Sequence, residues 1–153
     1  MAYVGGAHAP AGCVFCDALT ANDDRGRLVL LRGRHAYLIL NAFPYAAGHL
    51  MAALNRHVAD LQAATADELA ETMSLLRTAT IALAAEYRPD GFNVGANLGA
   101  AAGAGIKGHL HFHVVPRWSG DSNFMAVVGD TRVLPETLDT TYDRLRKRLE
   151  SDS

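Results

Sequence analysis

The sequence predicts an α+β fold, a mainly antiparallel five-stranded sheet with one long helix and one C-terminal helix. Three observations point there. The segment His109-Leu110-His111-Phe112-His113-Val114 alternates polar and apolar residues, the period of two expected of a strand with one buried face. Thr65-Ala66-Asp67-Glu68 is a capping box, and the helix it opens carries Leu69, Met73, Leu76, Leu83 and Tyr87 before Pro89 closes it. Pro135 suits the first turn of a final helix over 134–150, with Leu138, Tyr142, Leu145 and Leu149 on one face. At 153 residues the chain reads as a single domain over 1–153, large enough to bury a core, with no internal repeat or linker.

Taken in order, Gly5 to Gly12 is loop-like and contains His8 and Pro10. Cys13-Val14-Phe15-Cys16 follows, inside an N-terminal segment 1–20. Two cysteines three apart exclude a disulfide framework, which leaves a zinc half-site, a redox motif or buried thiols. A redox motif would open a helix within a βαβ unit, and neither is apparent. A zinc site needs two further ligands, histidine by preference.

Asn22-Asp23-Asp24 with Gly26 signals a turn. Leu28–Leu31 and Ala36–Leu40 read as a hairpin around Arg32-Gly33-Arg34. Asn41 to Gly48 is a connecting loop, and His49 to Leu54 a further strand. On their own, Asn41 suggests an Asx-turn and His49 a satisfied core histidine. The stripe of the long helix is core or subunit interface. Gly91 to Leu98 alternates into a strand, and Gly99 to Gly108 is a loop of small residues. Six of the 14 glycines lie between Gly91 and Gly108, and glycine lets backbone N–H groups approach a phosphate closely. Asn97, Gly99, Gly103, Gly105 and Lys107 are therefore the candidate phosphate contacts. Arg144, Arg146, Lys147 and Arg148 near the C-terminal end of the last helix read as a solvated face.

Three of the seven histidines stack on one strand face, and histidine is not a favoured filler of a half-exposed strand. A metal-binding column is one alternative. The other is a nucleophilic histidine flanked by two that position it and stabilise charge.

Composition narrows the classes. Hydrophobic residues make up 50% and charged residues 20%, ordinary for a globular domain. The net charge of −2 argues against a nucleic-acid groove, so an anionic ligand needs a local site. Ala36 to Leu54 is broken by Asn41, Pro44, Gly48 and His49, which excludes a membrane span. Met1 to Gly6 lacks a basic region and an apolar core, so a cytoplasmic protein without a secretory signal is expected.

His-φ-His-φ-His-φ-φ (φ apolar) resembles the signature of the histidine triad superfamily of nucleotide hydrolases and transferases. Cys13-Val-Phe-Cys16, Asn41, Gly48-His49-Leu50, Arg56-His57 and Gly91 to Gly99 resemble its other landmarks, in its order. Asn-Val-Gly-Ala-Asn-Leu-Gly, Val-Val-Pro-Arg-Trp and Asn123-Phe124-Met125 look most like the bacterial diadenosine tetraphosphate phosphorylase branch. Two positions depart from the family pattern. Leu54 replaces the proline usual after its strand, and Gly105 stands where hydrolases often carry a polar residue.

The resemblance implies a histidine triad fold and a homodimer or larger, its long helix paired across a two-fold. It implies His111 as nucleophile, His113 and His49 beside it, and Asn41 on the ribose. It also supplies His57 and His109 as partners of Cys13 and Cys16 around a structural zinc. The implied reaction is attack on the α-phosphate of a dinucleoside polyphosphate through a nucleotidyl-histidine. Phosphate or water then releases ADP or AMP, and any Mg²⁺ arrives with the substrate's phosphates. Hydrolysis of nucleoside phosphoramidates by the same histidines is a second reading. A non-catalytic, zinc-stabilised nucleotide-binding protein is a third.

Overall fold

A computed structural model describes residues 12–106, 108–121 and 136–151. His8, Lys107 and Ser122 to Pro135 lie outside the described residues, and with them the expectations placed there. Five strands form one antiparallel sheet in the order β1-β2-β3-β5-β4. They are β1 Val29–Arg32, β2 Ala36–Leu40, β3 Leu50–Leu54, β4 Gly91–Gly95 and β5 His111–Arg117. The described helices are α1 Val14–Thr20, α2 Ala66–Tyr87 and α3 Leu138–Ser151. None of them is long and apolar enough to cross a membrane.

Residues of β2 and β3 are buried on both faces, which is why these strands read as apolar runs rather than alternations. One face carries Leu38, Leu40, Leu50, Leu54 and Val114, and α2 and α3 cover it with Leu76, Leu83, Leu145 and Leu149. The opposite face carries Tyr37, Ile39, Met51 and Ala53, covered by Phe15 and Ala18 of α1. Both catalytic candidates of β5 belong to that second face, because Ala53 pairs with His111 and Met51 with His113.

The capping box forms as the sequence predicts. Thr65 accepts from the Glu68 N–H, and Glu68 accepts from the Thr65 N–H at 2.8 Å. Arg88, with φ +48°, ends the helix immediately before Pro89. The expected stripe divides: Leu76 and Leu83 are core, but Met73 is 63% exposed on another face. Thr72, Leu75, Ala79 and Ala82 complete the buried side instead.

Other boundaries shift. β4 stops at Gly95 rather than Leu98, and β5 begins at His111, with His109 two residues ahead of it. A helix does open at the cysteine pair, contrary to the sequence reading. It is seven residues long and has Cys13 at its N-cap with no side-chain cap bond, so it carries no start signal. The arginines of α3 are more than a solvated face. Arg144 bonds Glu86 and Glu136, Arg148 bonds Glu86, and Arg146 donates to the Leu30 carbonyl, tying α3 to α2 and β1.

Candidate active site

Two clusters of side chains share the α1-covered face of the sheet. In the first, Cys13, Cys16, His57 and His109 bring their donor atoms within 4.8 Å of one another. The Nδ1 of His109 lies 3.4 Å from the Cys13 sulfur and 3.5 Å from that of Cys16. The Nδ1 of His57 lies 3.4 Å from the Cys16 sulfur. Zinc–sulfur and zinc–nitrogen bonds of about 2.3 and 2.0–2.1 Å at tetrahedral angles would separate such atoms by about 3.5 Å. Donor set and spacing therefore suit a tetrahedral metal ion, and the four residues can hold one.

The surroundings fit that role. His109 is 1% exposed, and its Nε2–H donates to the Leu54 carbonyl at 2.7 Å, which leaves Nδ1 turned to the sulfurs. Burial pulls its pKa down to about 4, so the ring is neutral and able to ligate. The same burial, with the Cys13 thiol beside it, pushes the Cys16 thiol up to about 12, the cost a cation would remove. His57 is set by its neighbours: Arg56 is clamped by two 2.9 Å bonds to the carboxylate of Glu68, the second member of the α2 capping box. Gly108 leaves room for the ring, since a Cβ there would stand 3.2 Å from the His57 Nε2.

The second cluster continues along the same column. His111 is 6% exposed and donates its Nδ1–H to the backbone carbonyl of His109 at 2.7 Å. Its single neutral proton is thereby fixed on Nδ1, and the lone pair is on Nε2. The His111 and His113 rings meet edge-on at 5.0 Å. His113 Nδ1 lies 2.9 Å from His49 Nε2. Burial lowers the pKa of His111 and of His113, and the neighbouring His111 lowers that of His113 further.

Phe15, fully buried between the two cysteines, joins the clusters. Its ring lies 5.1 Å from His109 and 4.7 Å from His111. Tyr37, also fully buried, donates its hydroxyl to the Phe15 carbonyl at 2.8 Å and so seats α1 on the sheet. Sequence reasoning passed over both residues, and the only signal was an aromatic inside the cysteine motif.

Asn41 makes the Asx-turn, its side-chain oxygen accepting from the Phe43 N–H at 2.9 Å, and stays beside His49 at 3.4 Å. The glycine loop takes left-handed φ at Gly99 and Gly103, and the Asn97 amide reaches the Gly103 carbonyl at 3.5 Å. A Cβ at Gly105 would meet open space. Ile106 brings the end of this loop back against the α1 cluster.

Known proteins resemble this chain in sequence and in fold. The HIT domain family model matches residues 25–120. An AP-4-A phosphorylase of Mycobacterium tuberculosis is 43% identical over 127 residues, 83% of this chain. The chain spans only 65% of that relative's length. A Zn-bound histidine triad family protein from Mycobacterium smegmatis superposes with a TM-score of 0.73 at 24% identity, over 92% of this chain and 94% of that one. A hypothetical histidine triad nucleotide-binding protein from Sulfolobus tokodaii gives 0.72 at 22% identity, over 91% and 93%. With its family model spanning all five strands of the sheet, the chain belongs to the HIT family.

Proposed function

We propose that this protein is an enzyme that cleaves dinucleoside polyphosphates such as diadenosine tetraphosphate at the α-phosphate, with inorganic phosphate as final acceptor. The observation that carries the reading is the His111 bond to the His109 carbonyl, which leaves Nε2 as a neutral nucleophile. The Nε2–phosphorus bond forms as the bond to the departing nucleotide breaks, giving a nucleotidyl-histidine. Phosphate oxygen then attacks the same phosphorus and frees the imidazole. His113, supported by His49, and the amides at Gly99 and Gly105 stabilise charge on the phosphoryl oxygens, and Lys107 and Asn97 add to that stabilisation; the Gly103 N–H is given to the Ala100 carbonyl at 3.1 Å and shapes the loop instead. Asn41 holds the ribose.

A zinc ion on Cys13, Cys16, His57 and His109 has a structural part, fastening α1 to the start of the triad strand. Mg²⁺ enters with the substrate's phosphates. Support for phosphorolysis comes from the 43% identity to the mycobacterial phosphorylase and from the bare Gly105. Met73 and Ile81, 63% and 50% exposed on α2, support a homodimer through this helix.

Diadenosine tetraphosphate with and without phosphate tests the acceptor. ATP and ADP formed only with phosphate is the expected result. AMP and ATP formed without phosphate would make the protein a hydrolase, and no turnover of any dinucleotide would leave a binding protein.

A further inference from the structure

We infer that Tyr45 is a positioning residue whose backbone N–H fixes the His49–His113 pair in one proton order, leaving His113 a donor at Nε2. The consequence for turnover rests on the nucleotidyl-transfer reading above; the hydrogen-bond order does not.

The loop from Asn41 to Gly48 is closed on itself. The Asn41 N–H donates to the His49 carbonyl at 3.0 Å, the His49 N–H to the Ala46 carbonyl at 3.1 Å, and Gly48 turns with φ +79°. That closure brings the Tyr45 N–H to His49 Nδ1 at 3.0 Å. An amide N–H can only donate, so Nδ1 is the unprotonated nitrogen of His49. A neutral imidazole has one proton, which must then be on Nε2, 2.9 Å from His113 Nδ1.

His113 Nδ1 therefore accepts, and the proton of His113 is on Nε2. The opposite order would require both His49 nitrogens to accept, an imidazolate. The Asn41 amide nitrogen, at 3.4 Å from His49 Nε2, is too distant to compete. The Tyr45 ring strengthens the arrangement. It lies 4.6 Å from the His49 ring and 6.4 Å from that of His113, at 21° to the latter. His113 thus meets a phosphoryl oxygen as a neutral hydrogen-bond donor and removes no proton.

Long-range proton–nitrogen correlation on ¹⁵N-histidine protein reads the order directly. Both His49 and His113 should show a protonated Nε2 and a bare Nδ1. A protonated Nδ1 on His113 would overturn the inference. Tyr45→Pro, which lacks the N–H, should mix the His49 tautomers and lower kcat at least about tenfold with KM little changed. Tyr45→Leu, which keeps the N–H, should preserve the order. Unchanged tautomers in Tyr45→Pro would also overturn it. Full turnover by His111→Asn would sink the nucleotidyl-transfer reading without touching the tautomers. Reversed tautomers with His111-dependent turnover would sink only the role of Tyr45.

Discussion

His111 donates its Nδ1–H to the backbone carbonyl of His109 at 2.7 Å, and the His109 side chain faces two cysteine sulfurs. The residue that would ligate the metal is thus the one whose carbonyl sets the tautomer of the proposed nucleophile. Position and proton order of His111 both depend on how firmly His109 is held.

Zinc content follows from this geometry. One zinc per chain is expected by metal analysis, and Cys13→Ser should lose most of it. Structural zinc contributes on the order of 10 kcal/mol of binding free energy, so the variant should unfold far more easily in denaturant. A metal-free protein of undiminished stability would remove the metal assignment.

Much of this was legible because tertiary contacts agree with local pattern. The alternation at His109 to Val114 places histidines and apolar residues on opposite faces, as found. The capping box at Thr65 and Glu68 also forms as read. The α1 helix was not legible, since its Val14-Phe15-Cys16 start has poor helix propensity and tertiary burial of Phe15 holds it. The Tyr45 N–H was invisible too, because a backbone donor leaves no trace in residue type. The helical period leaves Met73 open to core or subunit interface, and its 63% exposure rules out the core, because the sheet meets the neighbouring face.

The pH dependence has a fixed sign. Burial disfavours the charged form of His111 and His113, so both protonate below the ordinary 6.5. A nucleophile needs its lone pair, and the acid limb of kcat/KM should therefore fall below pH 6.5. The unfolded chain takes up these protons first, so stability should decline as pH drops through 6.5. An acid limb at or above pH 6.5 would contradict the neutral, buried nucleophile.

Gly48 joins the His49 loop to the core. Its φ is +79°, and a Cβ would stand 2.7 Å from Leu83, which is fully buried on α2. Gly48→Ala should cost about 2 kcal/mol, lowering Tm by roughly 4–8 °C. Gly91→Ala, where a Cβ meets open space, should change Tm little. Equal melting of the two variants would deny the close approach.

The nucleophile is the central claim, and His111→Asn tests it most directly. Asparagine keeps a polar group of similar reach but cannot form the phosphorus–nitrogen intermediate. Turnover of diadenosine tetraphosphate should fall at least about a thousandfold, roughly 4 kcal/mol of barrier, with nucleotide affinity little changed. Rapid quench and mass spectrometry of the wild type should find the nucleotidyl group on His111. A folded variant that keeps more than about a tenth of wild-type turnover, or a nucleotidyl group found on another residue, would contradict the account.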